Sequence, residues 1–410
     1  MRRGLVVTVL ASAGALAVAC GAFSSDDDPT PASDAGVDAA GGDVAAPSDG
    51  GAGDAEAGTA CVPEPEWATP DGGVPVVADC AGLKNVPLLS SREHCGRCDH
   101  SCGAKDCKDG VCDAEDVDSA SQGPLVPVVA RGGALYYYTY DVLKRYTPGV
   151  GPSAVTTPLA SQIYGATYDD ALGEALLQTY SDLLRVPLLD AGAPQVLYST
   201  QHGSAPVLAG AGVVTFSGID RYVGIPTDGG GPDAAFSIVS SVPNAATTVP
   251  GGVAVLAGGW TGGGGDAGST VYSATWRGKS LQQIATGSNL FTLAADDTHV
   301  YTLQATGDGR GVYRAPLTPG SEGLTQFAVE PGFTGSTLFP MRALAVDATH
   351  VYWSRPAGGG SNYAEIVKKA KCGGAVAVIA RGLYYPSGMV AMGDSLYLGT
   401  GTNRLARVAK

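Results

Sequence analysis

Basic residues are scarce in this chain of 410 residues: 25 Lys and Arg stand against 39 Asp and Glu, a net charge of −14. Binding to a nucleic-acid backbone or to anionic headgroups by charge needs clustered Lys and Arg. The balance therefore argues against nucleic acid as a partner, and it favours solubility. Histidine occurs only five times, which leaves few candidates for acid–base work. Phe (seven), Trp (four) and Met (four) are also few. Long apolar runs are missing apart from Leu5–Ala19, so nothing else in the sequence suits a membrane span. Catalytic signatures are absent too: there is no G-x-S-x-G elbow, H-E-x-x-H helix or phosphate-binding loop. Gly262–Gly265 lacks a following Lys and reads as a loop, as does the isolated His202. No cofactor or metal is expected. What the chain does have is 60 Gly, 26 Pro and 18 Tyr, many of the tyrosines inside β-branched runs. Such a composition favours turns over long helices and strands with half-buried aromatic faces.

The N-terminus reads as an export signal. Arg2 and Arg3 precede the 15-residue apolar stretch Leu5–Ala19, too short for a comfortable bilayer span. It ends Leu16-Ala17-Val18-Ala19-Cys20-Gly21, which resembles the lipobox of bacterial lipoproteins. That resemblance implies a lipidated Cys20 after removal of residues 1–19, hence a membrane anchor and an outer-membrane location facing the periplasm or the surface. The family's Leu three places before the cysteine is replaced by Ala17. Ala17-Val18-Ala19 also fits ordinary secretory cleavage, so plain secretion stays open.

Residues 20–60 form an acidic tether. Asp26, Asp27, Asp28, Asp34, Asp38, Asp43, Asp49, Asp54 and Glu56 lie among Ala, Gly, Pro and Ser, without Lys or Arg. A segment of that kind buries too little apolar surface to offset its conformational entropy, so a disordered spacer is expected.

Residues 61–117 carry seven cysteines: Cys61, Cys80, Cys95, Cys98, Cys102, Cys107 and Cys112. The stretch H-C-G-R-C-D-H-S-C-G-A-K-D-C-K-D-G-V-C resembles small cysteine-rich modules of secreted proteins. These include the plant stigma-specific family and stretches of myxobacterial surface proteins. Two chemistries fit. Cys95, Cys98 and Cys102 with His94 or His100 suit a tetrahedral zinc ion, whereas an exported chain favours disulfides. With bridges, His94 and His100 are expected to be solvated. A bridge from the distant Cys372 would tie the module to the large domain; otherwise Cys372 is a buried thiol.

Residues 118–410 repeat. Leu293–Tyr301 reads L-A-A-D-D-T-H-V-Y, and Leu344–Tyr352 reads L-A-V-D-A-T-H-V-Y. Aromatic runs recur at 134–140, 175–180, 213–217, 253–257, 299–303, 350–354 and 395–399. Units of about 41 residues with four short strands each match a propeller blade. The expectation is an all-β chain with a seven-bladed β-propeller, six being possible because the glycine-rich 253–284 region is hard to phase. The last unit stops after its third strand, so a strand from 111–121 is expected to close the ring. The D-x-T-H-V-Y-W phrase resembles propeller repeats of bacterial lipoproteins and, distantly, the YWTD and NHL propellers. That implies architecture and compartment only.

His299 and His350 recur at one repeat position, beside Thr298 and Thr349. A group that recurs in every turn is a turn-former before it is a catalyst, and Asp296 and Asp347 are expected to accept backbone N–H groups there. The favoured function is a tethered, non-catalytic scaffold for a protein or glycan. The alternative is an extracytoplasmic propeller lyase, lactonase or glycan hydrolase.

Overall fold

The computed structural model describes residues 62–68, 76–80 and 82–410, apart from 170–171, 189–192, 200–206, 218–221, 228–235, 240–244, 259–267, 277–280, 305–309, 321–322, 331–342 and 358–361. The signal, Cys20, the tether, Cys61, His202 and Gly262–Gly265 lie outside the described residues.

Among the described residues no helix occurs, and seven antiparallel four-stranded sheets form a β-propeller. Blade one is Val126–Arg131, Ala134–Tyr138, Leu143–Thr147 and Gly151–Ala154. Blade two is Ile163–Asp169, Glu174–Thr179, Asp182–Pro187 and Gln195–Ser199. Blade three is Leu208–Gly210, Val213–Ser217, Tyr222–Pro226 and Phe236–Val239. Blade four, Ala245–Val249, Gly252–Gly258, Gly268–Thr275 and Leu281–Ser288, decides for seven units over six. Blade five is Leu290–Ala295, His299–Gln304, Gly311–Pro316 and Thr325–Val329. Blade six is Leu344–Val346, His350–Pro356, Tyr363–Ala370 and Gly373–Tyr384. Blade seven takes Ser387–Met392, Ser395–Thr400 and Arg404–Ala409 from the end of the chain.

The outer strand of blade seven is Glu115–Ser119, which precedes blade one and pairs antiparallel with Arg404–Ala409, Ser119 opposite Arg404. This closure hides the edge that blade seven would otherwise expose. The first strand of each blade neighbours the first strands of the blades on either side, all the way round, so these strands line the axis. Close approach is required where blade one meets blade seven: a Cβ on Gly399 would collide with the Leu125 carbonyl.

The core lies between blades. Blade five contributes Tyr301, Leu303 and Val312, and blade six Val351, Trp353 and Val367, to one buried cluster. Each such large side chain contributes roughly 1.5–3 kcal/mol on burial. The second strands run almost wholly buried, as in His299–Gln304 and His350–Pro356, because they are covered by blades on both sides.

The N-terminal module has little apolar core beyond Ala68, Val86 and Leu88 beside Cys80. Three disulfides hold it: Cys80–Cys98, Cys95–Cys107 and Cys102–Cys112. Each contributes roughly 2–4 kcal/mol by restricting the unfolded chain. The expectation that His94 and His100 are solvated is wrong, since both are buried. In so small a body the imidazoles are core material. His94 Nδ1 accepts the Asp99 N–H, and His100 Nδ1 donates to the Cys95 carbonyl at 2.7 Å.

Candidate functional site

The propeller has two unlike ends. One, the turn face, carries the connections from first to second and from third to fourth strands. The other, the loop face, carries the connections from second to third strands and from blade to blade.

The D-x-T-H phrases are turns on the turn face. Asp296 Oδ1 accepts the N–H groups of Thr298 and His299, each at 2.8 Å, and Asp347 Oδ1 does the same for Thr349 at 2.9 Å and His350 at 2.8 Å. Two strand positions on, the Tyr301 and Tyr352 hydroxyls donate to the second oxygen of the same carboxylates. Burial pushes both carboxyls up. The bonds from lysine and from the turn's own donors outweigh it, so each is held well below the usual carboxylate range. The histidines are parts of these turns, as their recurrence implies.

His350 has a second role that its sequence neighbourhood does not announce. Its Nε2 lies 2.7 Å from Glu64, 286 residues away. The Glu64 backbone adds to the edge of blade six as a parallel bridge beside Gly374, with Glu64 N–H donating to Gly373 and Ala375 N–H donating to Glu64. The Glu64 side chain is buried and accepts the Trp67 indole N–H at 2.7 Å; Arg97 stands at 3.3 Å and Lys368 at 3.5 Å. Burial opposes its charge, but His350, Lys368, Trp67 and Arg97 together pull its carboxyl down to about 2. The same burial lowers the Lys368 ammonium to about 8 against the pull of Glu64. His100 is brought down to about 4, by burial first and then by Lys368 and Arg97. Trp67 packs on the His100 ring, beneath Arg97 and Lys368. Residues 64–68 are thus a strap. One end is hydrogen-bonded to blade six and the other to the module, through Ala68 N–H and the Gly96 carbonyl.

The Cys95 and Cys112 sulfurs lie close to His100, and those of Cys95, Cys102 and Cys107 close to one another, but all four cysteines are in bridges and offer no thiolate to a metal. Cys372 is also disulfide-bonded. The six other described cysteines pair among themselves, so its partner lies outside the described residues.

The loop face differs. At its outer part, Arg355 bridges Glu330 at 3.2 Å and Glu365 at 2.9 Å, and Arg381 continues to Glu365 at 3.0 Å. Burial raises the Glu330 carboxyl against the pull of Arg355 and Trp353. Tyrosines also gather here. Tyr140 and Tyr180 follow the second strands of blades one and two, and Tyr164 begins the inner strand of blade two. Tyr363, Tyr384 and Tyr385 belong to blade six and its exit. Blades six, seven, one and two are consecutive, so the rings follow one arc. Ile163 N–H donates to the Tyr140 carbonyl, and Gly401 N–H to that of Tyr384, which ties neighbouring connections together. Sequence reasoning treated these tyrosines as strand faces. The signal that marks Tyr140 and Tyr180 is their position, just past the last strand residue and beside Asp141 or Ser181.

No protein-family model matches the chain, and no curated protein matches it in sequence. Solved structures are similar in shape. A streptogramin B lyase superposes with a TM-score of 0.54 at 12% identity, over 72% of this chain and 96% of that one. A virginiamycin B lyase from Staphylococcus aureus gives 0.51 at 13% identity, over 73% and 99%. The hydrazine synthase of Kuenenia stuttgartiensis gives 0.51 at 9% identity, over 72% and 97%. At such identities the likeness is one of fold: this chain shares the propeller with all three.

Proposed function

We propose that the protein is a membrane-tethered, extracytoplasmic binding scaffold in the cell envelope, without catalysis of its own. One observation carries this reading. On the seven inner strands the only ionisable side chains other than tyrosine are Arg131 and Asp169, and both stand at the turn-face ends of their strands. A propeller lyase, lactonase or glycan hydrolase draws an acid and a base from different blades toward the axis. These strands do not supply that pair. Among the described residues, the ionic clusters around Glu64 and along Glu330–Arg355–Glu365–Arg381 are paired among their own members.

The tether rests on Arg2, Arg3, Leu5–Ala19 and Cys20. A diacylglycerol on Cys20 holds the chain at the outer membrane, on its periplasmic or outer side.

Metabolic labelling with a fatty acid tests the anchor. Label on the protein, lost in Cys20→Ala together with membrane association, is the expected result. An unlabelled protein in the culture medium overturns tethering in favour of plain secretion.

A further inference from the structure

We propose that the tyrosine arc on the loop face binds a neutral polysaccharide, each exposed ring taking the apolar C–H face of one sugar. This deepens the scaffold reading and rests on it. Tyr140, Tyr164, Tyr180 and Tyr363 are 42%, 40%, 57% and 49% exposed, far from the burial expected of tyrosines that serve only as blade packing. The other two members are braced: Tyr384 stands edge-on to Tyr363 at 5.5 Å and to Tyr385 at 4.6 Å. The Tyr138 hydroxyl donates to the Tyr164 carbonyl, and the Tyr140 carbonyl accepts from Ile163. The rings are therefore mounted on hydrogen-bonded backbone.

Charge selects among ligands. Four described cations near this end are held in ion pairs: Lys144 with Asp118, Arg404 with Asp116, Arg355 with Glu330 and Glu365, Arg381 with Glu365. An anionic ligand would have to compete for them in a chain of net charge −14. A neutral ligand pays no such penalty. Side-chain type selects further. Among the described residues the large exposed aliphatics lie off the arc: Val150 and Leu172 in turn-face connections, Val196, Leu281 and Val329 on outer strands, and Val62, Val76, Val77 and Leu83 in the module and strap. Among the described residues the large exposed apolar side chains of the arc are tyrosines, with Asp141, Ser181, Asp182, Asn362 and Thr402 beside them in the sequence. Ring faces are electron-rich and attract the weakly positive C–H bonds of a pyranose. Adjacent carboxylates, amides and hydroxyls accept and donate to its hydroxyl groups. A protein partner needs a continuous, water-free apolar centre, and separate rings between polar side chains do not make one.

The test is affinity electrophoresis of the full-length chain through gels carrying laminarin, xyloglucan, galactomannan or dextran, with alginate and polygalacturonate as acidic probes. Retardation by at least one neutral polysaccharide, and by neither acidic one, is expected. The pair Tyr140→Ala and Tyr180→Ala should weaken it at least about tenfold, while Tyr140→Phe with Tyr180→Phe, which keeps the rings, stays within about threefold. Both sites are exposed, and thermal melts check that the variants fold. No retardation by any neutral probe, or retardation unchanged in the alanine pair, overturns the proposal. Tyrosine-dependent capture of an envelope protein without retardation overturns the glycan and leaves the scaffold standing. New reducing ends released from a retarding polysaccharide overturn the scaffold reading, not the recognition.

Discussion

Lys410 Nζ lies 2.9 Å from the Asp347 carboxylate, and one blade earlier Lys371 stands 2.8 Å from Asp296 in the same relation. In each pair the lysine follows the third strand of one blade, and the aspartate heads the first turn of the blade before it. The repeated D-x-T-H-V-Y phrase is therefore an inter-blade staple as well as a turn. Asp296→Ala leaves two N–H groups, a tyrosine hydroxyl and a partly buried ammonium without their acceptor. The expected cost is about 2–4 kcal/mol, since each orphaned buried group costs about 1–3 kcal/mol and part regains water. Lys371→Ala should cost about 1 kcal/mol. The double variant should fall short of additivity by roughly 0.5–1 kcal/mol in denaturant melts. Full additivity would mean the two residues act independently.

Acid should unfold the protein in two stages. His100 has a folded value of about 4 against an ordinary 6.5, so the unfolded chain takes up its proton first. Stability from the neutral ring is complete above pH 6.5 and is lost as pH falls toward 4. Glu64 goes from 4.5 to about 2, so its share is complete above 4.5 and is lost as pH falls toward 2. Melting temperature should therefore decline from pH 6.5 and fall faster below 4.5. His100→Phe keeps a ring against Trp67 and should flatten the upper limb, leaving the smaller share of His299, which burial also lowers. An unchanged slope between pH 6.5 and 4.5 in that variant would exclude His100 as its origin.

How far the sequence reveals this molecule depends on distance along the chain. The L-A-x-D-x-T-H-V-Y phrase marks blades five and six because the turn needs the same side chains twice within one short segment. The closing strand near 111–121 follows from counting, since a final blade with three strands must borrow a fourth. The Glu64 strap could not be read. Its partners, His350 and Lys368, are separated from it by nearly the whole propeller, and each looks locally like a strand residue. His94 and His100 misled for a related reason: a disulfide module lacks aliphatic residues, so polar rings take the interior. The tyrosine arc was hidden because composition counts tyrosines without telling a strand's middle from its end.

Replacing Glu64 should loosen the joint between the module and blade six. Glu64→Gln keeps the size of the side chain and leaves the buried Lys368 and the half-buried Arg97 without a counter-charge. Breaking one side of a buried ionic cluster costs about 3–5 kcal/mol. Hydrogen exchange should quicken at Glu64, Ala68 and Ala375, whose N–H groups define the strap, while blades two to four keep their protection. Quickening spread evenly over all seven blades would mean that the strap stabilises the whole ring rather than the joint.

The strap also predicts the partner of Cys372. Glu64 and Gly374 form a parallel bridge, so both chains run the same way past that point. Stepping back two residues from Gly374 reaches Cys372, and three residues from Glu64 reaches Cys61. Parallel neighbouring strands lie about 4.8 Å apart, and a disulfide spans Cα atoms about 4.4–6.8 Å apart. Peptide mapping without reductant should therefore recover Cys61 joined to Cys372, beside the three bridges inside the module. Cys372→Ser should expose one new thiol, on Cys61. With both bridge and hydrogen bonds lost in Cys372→Ser with Glu64→Gln, the module should become a separate target for proteases at moderate denaturant. A Cys372 peptide linked to any other cysteine would show that the chain before Glu64 turns away from blade six.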